Sequence, residues 1–323
     1  MMGQVARGPF KRLRHPENMG KPTVSVLTTT YNREKYVATA IESVLASTFN
    51  DFELIVVDDR STDRSVEIAQ RYASRDSRVR VVVNDENLGD YPNRNRAASL
   101  ARGHYIKYVD ADDYIYPGGL QTLVDMMRRF PDAGYGLCSL EQRRGQPYPF
   151  EMSPQQAYES HFCHSSLFHK APLSAIILKR AYEAVGGFPE RRMSSDFEMW
   201  LRLSQQHNVV LMPGGIVWYR EHDAQEINSY QKFVCQYQSI KFKYLQDSRC
   251  PLDAVIRKRV IRNERRRARK QALMYLVRGR PAEAVQMSEA AGLCFTDLLS
   301  LPLDLAAHPF RHFFAGEVPV GAS

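Results

Sequence analysis

Apolar residues recur along this chain with two alternating periods. Val24 to Thr30 (VSVLTTT) reads as a strand running into a polar turn at Tyr31 and Asn32. The next stretch sets Tyr36, Val37, Ala40, Ile41, Val44 and Leu45 at the spacing of an amphipathic helix. Glu53 to Val57 (ELIVV) is the continuous apolar run of a parallel strand covered on both faces, and it ends at Asp58 and Asp59. Ser61, Thr62 and Asp63 then offer capping side chains ahead of a helix carrying Val66, Ile68, Ala69 and Tyr72. Val79 to Val83 reads as a third strand, Asn93 to Ala101 as a short helix and Tyr105 to Val109 as a fourth strand. Strands alternating with helices in this way predict an α/β fold, a mostly parallel, Rossmann-like sheet flanked by helices.

In such sheets ligands gather beyond the carboxyl ends of the strands. Three of those ends are polar here: Thr29 to Asn32, Asp58 with Asp59, and Asp110, Asp112 and Asp113. Carboxylates crowded at the end of a buried strand raise one another's pKa unless a cation joins them, and hard oxygen ligands suit Mg²⁺ or Mn²⁺. The plainer alternative is a polar turn whose aspartates cap a helix beginning near Pro117. The turn after the first strand, TTTYNRE, has no glycine, so it lacks the GxGxxG of dinucleotide enzymes, and no GxxxxGK[ST] loop occurs. A nucleotide held here is expected to be held by acids and a metal.

Composition refines this picture. With 323 residues, 44% hydrophobic and 25% charged, the chain has room for one large domain and an appendage. Its net charge of +8 is unevenly spread. Residues 1–21 hold five basic and one acidic side chain, residues 249–280 twelve and two, and the rest of the chain is net negative. No nucleic-acid partner is expected from such a main domain. Cys138, Cys163, Cys235, Cys250 and Cys294 are odd in number, with no CxxC pair, as in a reduced cytoplasmic protein. No signal peptide and no membrane span are expected, since no run reaches 18 apolar residues.

Four segments together resemble the family 2 glycosyltransferases of the GT-A fold: residues 24–65 around TTTYNRE and IVVDD, then NLGDYPNRNRAASLARGHYIKYVDADD, then VGGFPERRMSSDFEMWLRL, and VWYREH. The likeness covers residues 23–223, with the motifs in the usual order. It implies a metal-dependent, inverting transfer of a sugar from a nucleoside diphosphate sugar, UDP-sugar favoured, to a hydroxyl of a saccharide or glycoconjugate. Cell-surface polysaccharide or glycan synthesis is the expected setting. By this resemblance Thr29, Tyr31, Asp58, Asp59, Arg94 and Asp110 would contact the nucleotide. Asp110, Asp112, Asp113 and His222 would hold Mn²⁺ or Mg²⁺, Arg220 would meet the diphosphate, and Asp196 would be the general base.

One base suffices for a single displacement, whereas a glycosidase needs two flanking carboxyl groups. The sequence departs from the family at Ser195, where many members carry an acid. Glu198, two residues beyond Asp196 on a helix, points elsewhere. Gly186 and Gly187 are expected to stop the helix Lys179 to Val185 with a left-handed cap. His161, Cys163, His164 and His169 hint at zinc, yet no second ligand pair follows, and a place lining or beneath the acceptor pocket is preferred. Trp200, Leu201 and Leu203 read as core, with Trp200 available to desolvate Asp196 in part.

The domain organisation expected is a disordered leader over 1–21, a GT-A domain over 22–245 and a basic helical extension over 246–323. Within the extension a long basic helix follows Pro251, and residues 272–291 suggest a helical hairpin turning at Gly279-Arg280-Pro281. The basic helix is expected either to lie solvated on the main domain or to meet an anionic membrane or a partner enzyme. The alternatives to a transferase are a sugar-nucleotide pyrophosphorylase, which wants a glycine-rich loop where TTTYNRE stands, and a non-catalytic domain binding a nucleotide sugar or nucleic acid.

Overall fold

A computed structural model describes residues 20–141, 145–221 and 232–293. The expected leader, apart from Gly20 and Lys21, lies outside the described residues, as do His222 and everything beyond residue 293.

The first half repeats one unit. Strand β1 (Val24–Thr30), helix α1 (Val37–Leu45), β2 (Phe52–Asp58), α2 (Ser65–Ala73), β3 (Val79–Val83), α3 (Asp90–Leu100) and β4 (Tyr105–Tyr108) follow in turn. Every residue of β1 and β2 is buried, the continuous apolar run of β2 matching a strand whose two faces are both covered. After a short β5 (Tyr114–Ile115) come α4 (Gly119–Arg128), β6 (Ala133–Leu140), β7 (Phe150–Met152), α5 (Pro154–Glu159), β8 (Ala175–Leu178), α6 (Lys179–Ala184), α7 (Ser195–Gln206), β9 (Asn208–Pro213) and β10 (Val217–Trp218). Three helices close the described chain: α8 (Val234–Gln246), α9 (Ala254–Val277) and α10 (Pro281–Ala291).

Eight strands form one sheet in the order β3-β2-β1-β4-β8-β6-β9-β7, and β10 pairs with β5 in a separate two-stranded ribbon. β3, β2, β1 and β4 run parallel, β8 runs against both β4 and β6, β9 is parallel to β6, and β7 is antiparallel to β9. The sheet is therefore mostly parallel with helices around it. The chain steps outward from β1 to β3, then returns to lay β4 on the other side of β1. That reversal makes the crevice between the carboxyl ends of β1 and β4 the place where a ligand fits.

β4 pairs with β8 only at Tyr105 and Ile106, and beyond them the ladder opens. The buried Lys107 ammonium enters the gap and donates to the carbonyls of Leu173 and Ala175.

One helix start differs from the sequence expectation. α3 begins at Asp90, three residues earlier than periodicity suggests, because Gly89 turns the chain at φ 87 and its N–H is fixed from across the sheet by Asp59. α6 stops where expected, at a pair of glycines with φ 79 and 72. A Cβ on Gly187 would also meet Asn95 Oδ1 at 2.8 Å, so that glycine serves packing as well as the turn. Phe242 of α8 joins Ala268, Ala272 and Tyr275 of α9 and Ala284, Met287 and Ala291 of α10 in a second core. Tyr237, Ile240, Tyr244 and Leu245 of α8 belong to the main one.

Candidate active site

At the reversal point the carboxylate of Asp110 receives three donors. Thr29 gives its hydroxyl at 3.1 Å, and Arg94 gives Nη1 at 2.7 Å and Nη2 at 2.8 Å. Arg94 also reaches back one turn of α3 to Asp90, Nε to Oδ1 2.9 Å. Its guanidinium is buried, and burial alone would weaken the charge. The carboxylates of Asp110 and Asp90 outweigh that cost and hold it firmly protonated. α3 presents Arg94 here because its N-terminus is pinned. Asp59 accepts from Asn84 Nδ2 at 2.9 Å, Leu88 N at 2.8 Å and Gly89 N at 2.9 Å. Asp58 is engaged too, accepting the amide of Ser61 at 2.8 Å and its hydroxyl at 2.5 Å. Tyr31, on the same rim, is 47% exposed.

The loop after β4 turns tightly, Asp113 N donating to Asp110 O at 3.0 Å. The α4 N-cap is Gly118 with no side-chain bond, so these acids do not cap that helix. Asp112 is paired instead with Arg33, Nε to Oδ2 3.0 Å. Arg220 donates Nε to the Asp112 carbonyl at 2.8 Å and its amide to Asp113 Oδ1 at 3.2 Å. Its guanidinium lies over the rings of Tyr36 and Trp218, 5.0 and 4.7 Å from the centroids. Burial, with Asp110 and Asp112 beside it, pushes Asp113 well above the usual carboxylate range.

Three hard-oxygen side chains on one turn, with Asp113 raised by burial and then by its two neighbouring carboxylates, have the chemistry of a divalent-cation site. Among the described residues no group of three His, Cys, Asp or Glu side chains is arranged to chelate a metal. Arg94 and Arg33 supply the positive charge instead. His222 lies outside the described residues.

Asp196 stands in the first turn of α7 and accepts Phe197 N on Oδ1 at 2.7 Å. Its side chain keeps partial access to solvent but is ringed by protein. Burial raises it to about 7, with Asp90 adding to the rise and the Phe197 amide and Arg94 opposing it. The departure at Ser195 has a local reason. Its hydroxyl bonds the carbonyls of Pro189 and Arg191 and accepts Arg191 N at 2.9 Å. A carboxylate there would face two carbonyl oxygens with no proton to offer.

Glu198 points the other way, as the helix spacing requires. It is fully buried against Lys243 at 2.7 Å, Tyr244 at 3.0 Å, Arg191 at 2.9 Å and Arg202 at 3.4 Å, binding α7 to α8. Trp200 is core, stacked on Tyr135 and bonded to the Lys170 carbonyl at 2.7 Å. His161 and His169 stack with Phe168 and Phe197, and burial lowers both. His161 Nδ1 accepts Phe168 N, while Cys163 faces solvent.

The acids and Asp196 act electrostatically on a common neighbour. Tyr219, two fifths exposed, is raised by burial and then by Asp113, Asp112, Asp110 and Asp196 together, and so lies within reach of both groups. Arg94 and Asp90 likewise act on Asp196 as well as on the β4 side. Tyr219, Asp90 and Arg33 were not singled out from sequence. Asp90 stands four residues before Arg94 on a helix, and Arg33 sits inside TTTYNRE. Tyr219 offers no comparable signal.

The chain was compared with known proteins. A family model described as "Glycosyl transferase family 2" matches residues 25–186, just over half of the chain. An uncharacterized glycosyltransferase of Methanocaldococcus jannaschii, MJ1057, is 31% identical over 199 residues, which is 57% of this chain and 65% of that protein. The chain thus spans somewhat less than two thirds of that relative. Among solved structures, S. aureus TarS 1–349 in complex with UDP-GlcNAc aligns with a TM-score of 0.61 at 17% identity, over 84% of this chain and 93% of that one. The mannosyltransferase PcManGT of Pyrobaculum calidifontis, in complex with GDP-Man and Mn²⁺, gives 0.58 at 16%, over 87% and 88%. These two likenesses concern the fold, the GT-A fold. On the extent of the family match, this chain belongs to glycosyl transferase family 2.

Proposed function

We propose that this chain transfers a sugar, with inversion, from a nucleoside diphosphate sugar to a hydroxyl of a saccharide or glycoconjugate acceptor. A UDP-sugar is the first donor to test, and cell-surface polysaccharide or glycan synthesis is the proposed setting. The observation that supports the reading is that Tyr219 feels the charges of the acidic turn and of Asp196 alike. A donor's diphosphate at the turn and an acceptor's hydroxyl at Asp196 would then meet across the sugar.

In this reading the Tyr31 ring stacks on the base, and Asp59, which already receives three N–H groups, has about one lone-pair direction left for a base N–H. Asp58 holds the turn beside it. Thr29 and Asp110 face the ribose, with Arg94 fixing Asp110 in place. Arg220 contacts the diphosphate. Asp110, Asp112 and Asp113, with His222, would hold Mn²⁺ or Mg²⁺, which when bound would neutralise charge developing on the leaving diphosphate. Asp196, standing at about 7, takes the hydroxyl proton as the acceptor oxygen bonds the anomeric carbon. The bond from that carbon to the diphosphate breaks as this happens, on the opposite face. The relatives' bound nucleotides, UDP-GlcNAc in one and GDP-Man in the other, give the panel its first members.

The test is a panel of nucleotide sugars with Mn²⁺, read first by thermal stabilisation and then by transfer or hydrolysis in Mn²⁺ and in EDTA. One donor that stabilises and turns over only with metal supports the proposal. Stabilisation without turnover would make the chain a nucleotide-sugar binder, and no stabilisation by any donor would sink the donor site.

A further inference from the structure

The longest helix carries a surface that the transfer reaction leaves unused. Along α9, Val260, Glu264, Ala268, Ala272 and Tyr275 are buried against α8 and α10. On a flank turned away from that core, Val255, Lys258, Arg262, Arg265, the half-buried Arg269 and Leu276 follow one another at helical steps of three, four or seven, forming a single stripe. At roughly 1.5 Å per residue the stripe from Val255 to Leu276 is about 32 Å long. Lys258, Arg262, Arg265, Arg266 and Arg269, with Ile261 and Leu293, line a groove of about 500 Å³. Among the described residues no carboxylate forms an ion pair with Lys258, Arg262, Arg265 or Arg266. Glu264, the acid of this helix, is turned inward to Lys241 and Arg267.

Charge alone does not name the partner, and the ends of the stripe do. Val255 at one end is 76% exposed, and Leu276 and Val277 at the other are 45% and 89% exposed. Aliphatic side chains held in water at both ends of a basic face gain nothing from a nucleic-acid backbone, which offers them no apolar phase. A lipid bilayer supplies phosphates for the middle and an acyl boundary for the ends. The platform is rigid, because α9 and α10 share a core with α8 and α8 is bonded to α7 through Lys243 and Glu198. None of the described helices is long and apolar enough to cross a membrane, so any attachment through them is by a surface.

We infer that the outer face of α9 docks this chain on an anionic lipid bilayer. Docking there holds the helix bearing Asp196 at one fixed orientation to the membrane, whatever the chain transfers. The inference stands apart from the transferase reading, because its test measures no sugar.

The full chain is floated with vesicles of phosphatidylcholine alone and with vesicles containing about a third phosphatidylglycerol, at roughly 50 and 500 mM NaCl. Binding is expected to the anionic vesicles only and to fall at high salt. Arg262→Glu/Arg265→Glu/Arg266→Glu, on the exposed face and checked for an unchanged melting temperature, should weaken partitioning on the order of 100-fold or more, at about fivefold per lost basic residue. Leu276→Ser/Val277→Ser, which keeps every charge, should weaken it several-fold. No flotation with anionic vesicles, or flotation untouched by the charge reversals, overturns the inference. Equal binding by the Ser variant, with duplex DNA competing at the same affinity, would replace the bilayer with a nonspecific polyanion site and overturn it as well.

Discussion

Thr29 and Asp110, 81 residues apart in sequence, meet through a 3.1 Å hydrogen bond at the point where the sheet's strand order turns back on itself. The bond is possible because β1 and β4 are parallel neighbours in register from Val24 opposite Tyr105 onward, which brings their carboxyl ends out side by side. Arg94 completes the arrangement from a helix whose first turn is anchored by Asp59 on the next strand end. Four segments thus depend on one another, and substitutions within the group should be felt both as lost stability and as lost binding.

Arg94→Ala removes the bidentate partner of Asp110 and leaves that carboxylate unpaired in a site where both side chains are less than one fifth exposed. Breaking such a pair from one side costs about 3–5 kcal/mol. The melting temperature should fall by roughly 10 °C, and Arg94→Lys should restore only part of it, since an ammonium cannot bond both oxygens in a fork. An unchanged melting curve for Arg94→Ala would show that the pair contributes nothing net.

Asp59→Ala and Tyr31→Ala separate two effects that a binding assay alone would merge. The first removes the acceptor of three N–H groups in a buried loop, so thermal stability should drop by about 1–3 kcal/mol along with donor affinity. The second trims a ring that is half exposed, so donor affinity should fall with stability nearly intact. Equal stability for both variants would show that Asp59 does not hold the start of α3.

Asp112→Ala leaves Asp110 with Arg94 and removes the acid now paired with Arg33. Calorimetry should show loss of metal-dependent donor binding, while weak metal-free binding persists. Donor affinity that is unchanged in Mn²⁺ would mean that the acidic turn is structural.

Asp196→Asn should keep donor affinity and lower kcat by a factor on the order of 10² to 10⁴, the usual contribution of a positioned base. The pH dependence follows from its position at about 7. Below that pH the carboxyl is protonated and cannot accept a proton, so the parent rate should rise about tenfold per pH unit up to neutrality and then level. The stability effect has the opposite sign. A pKa raised by folding means that the folded state holds the proton more tightly. This contribution is complete below the unfolded value near 4 and is lost as pH rises through about 7. At pH 8 Asp196→Asn should therefore melt higher than the parent, and the two should converge in acid. A variant that retains the parent's acid limb would remove Asp196 from the base role.

Elements and motifs were legible in the sequence to different depths. The run in β2 announces a strand covered on both faces, because a strand with one wet face would alternate. The motifs around Asp59, Asp110 and Asp196 name candidates because few side chains suit metal, nucleotide and proton. The glycine pair after α6 was readable, since only glycine adopts two successive left-handed turns without strain. Ser195 was read as a missing acid, and its reason, two carbonyl oxygens needing a donor, resides in the 189–191 loop that folds over it.

By itself, then, the sequence determined which segments become strands and helices, the order in which they follow, and the chemical types available at the strand ends, since periodicity and side-chain chemistry are local properties. The tertiary structure decided who pairs with whom. Asp59 is spent largely on α3, Asp112 on Arg33 and Glu198 on α8, and Tyr219 feels both the acids and Asp196. Those outcomes depend on contacts between residues far apart in the chain and on how burial shifts each charge, and neither quantity is encoded in any one stretch of it.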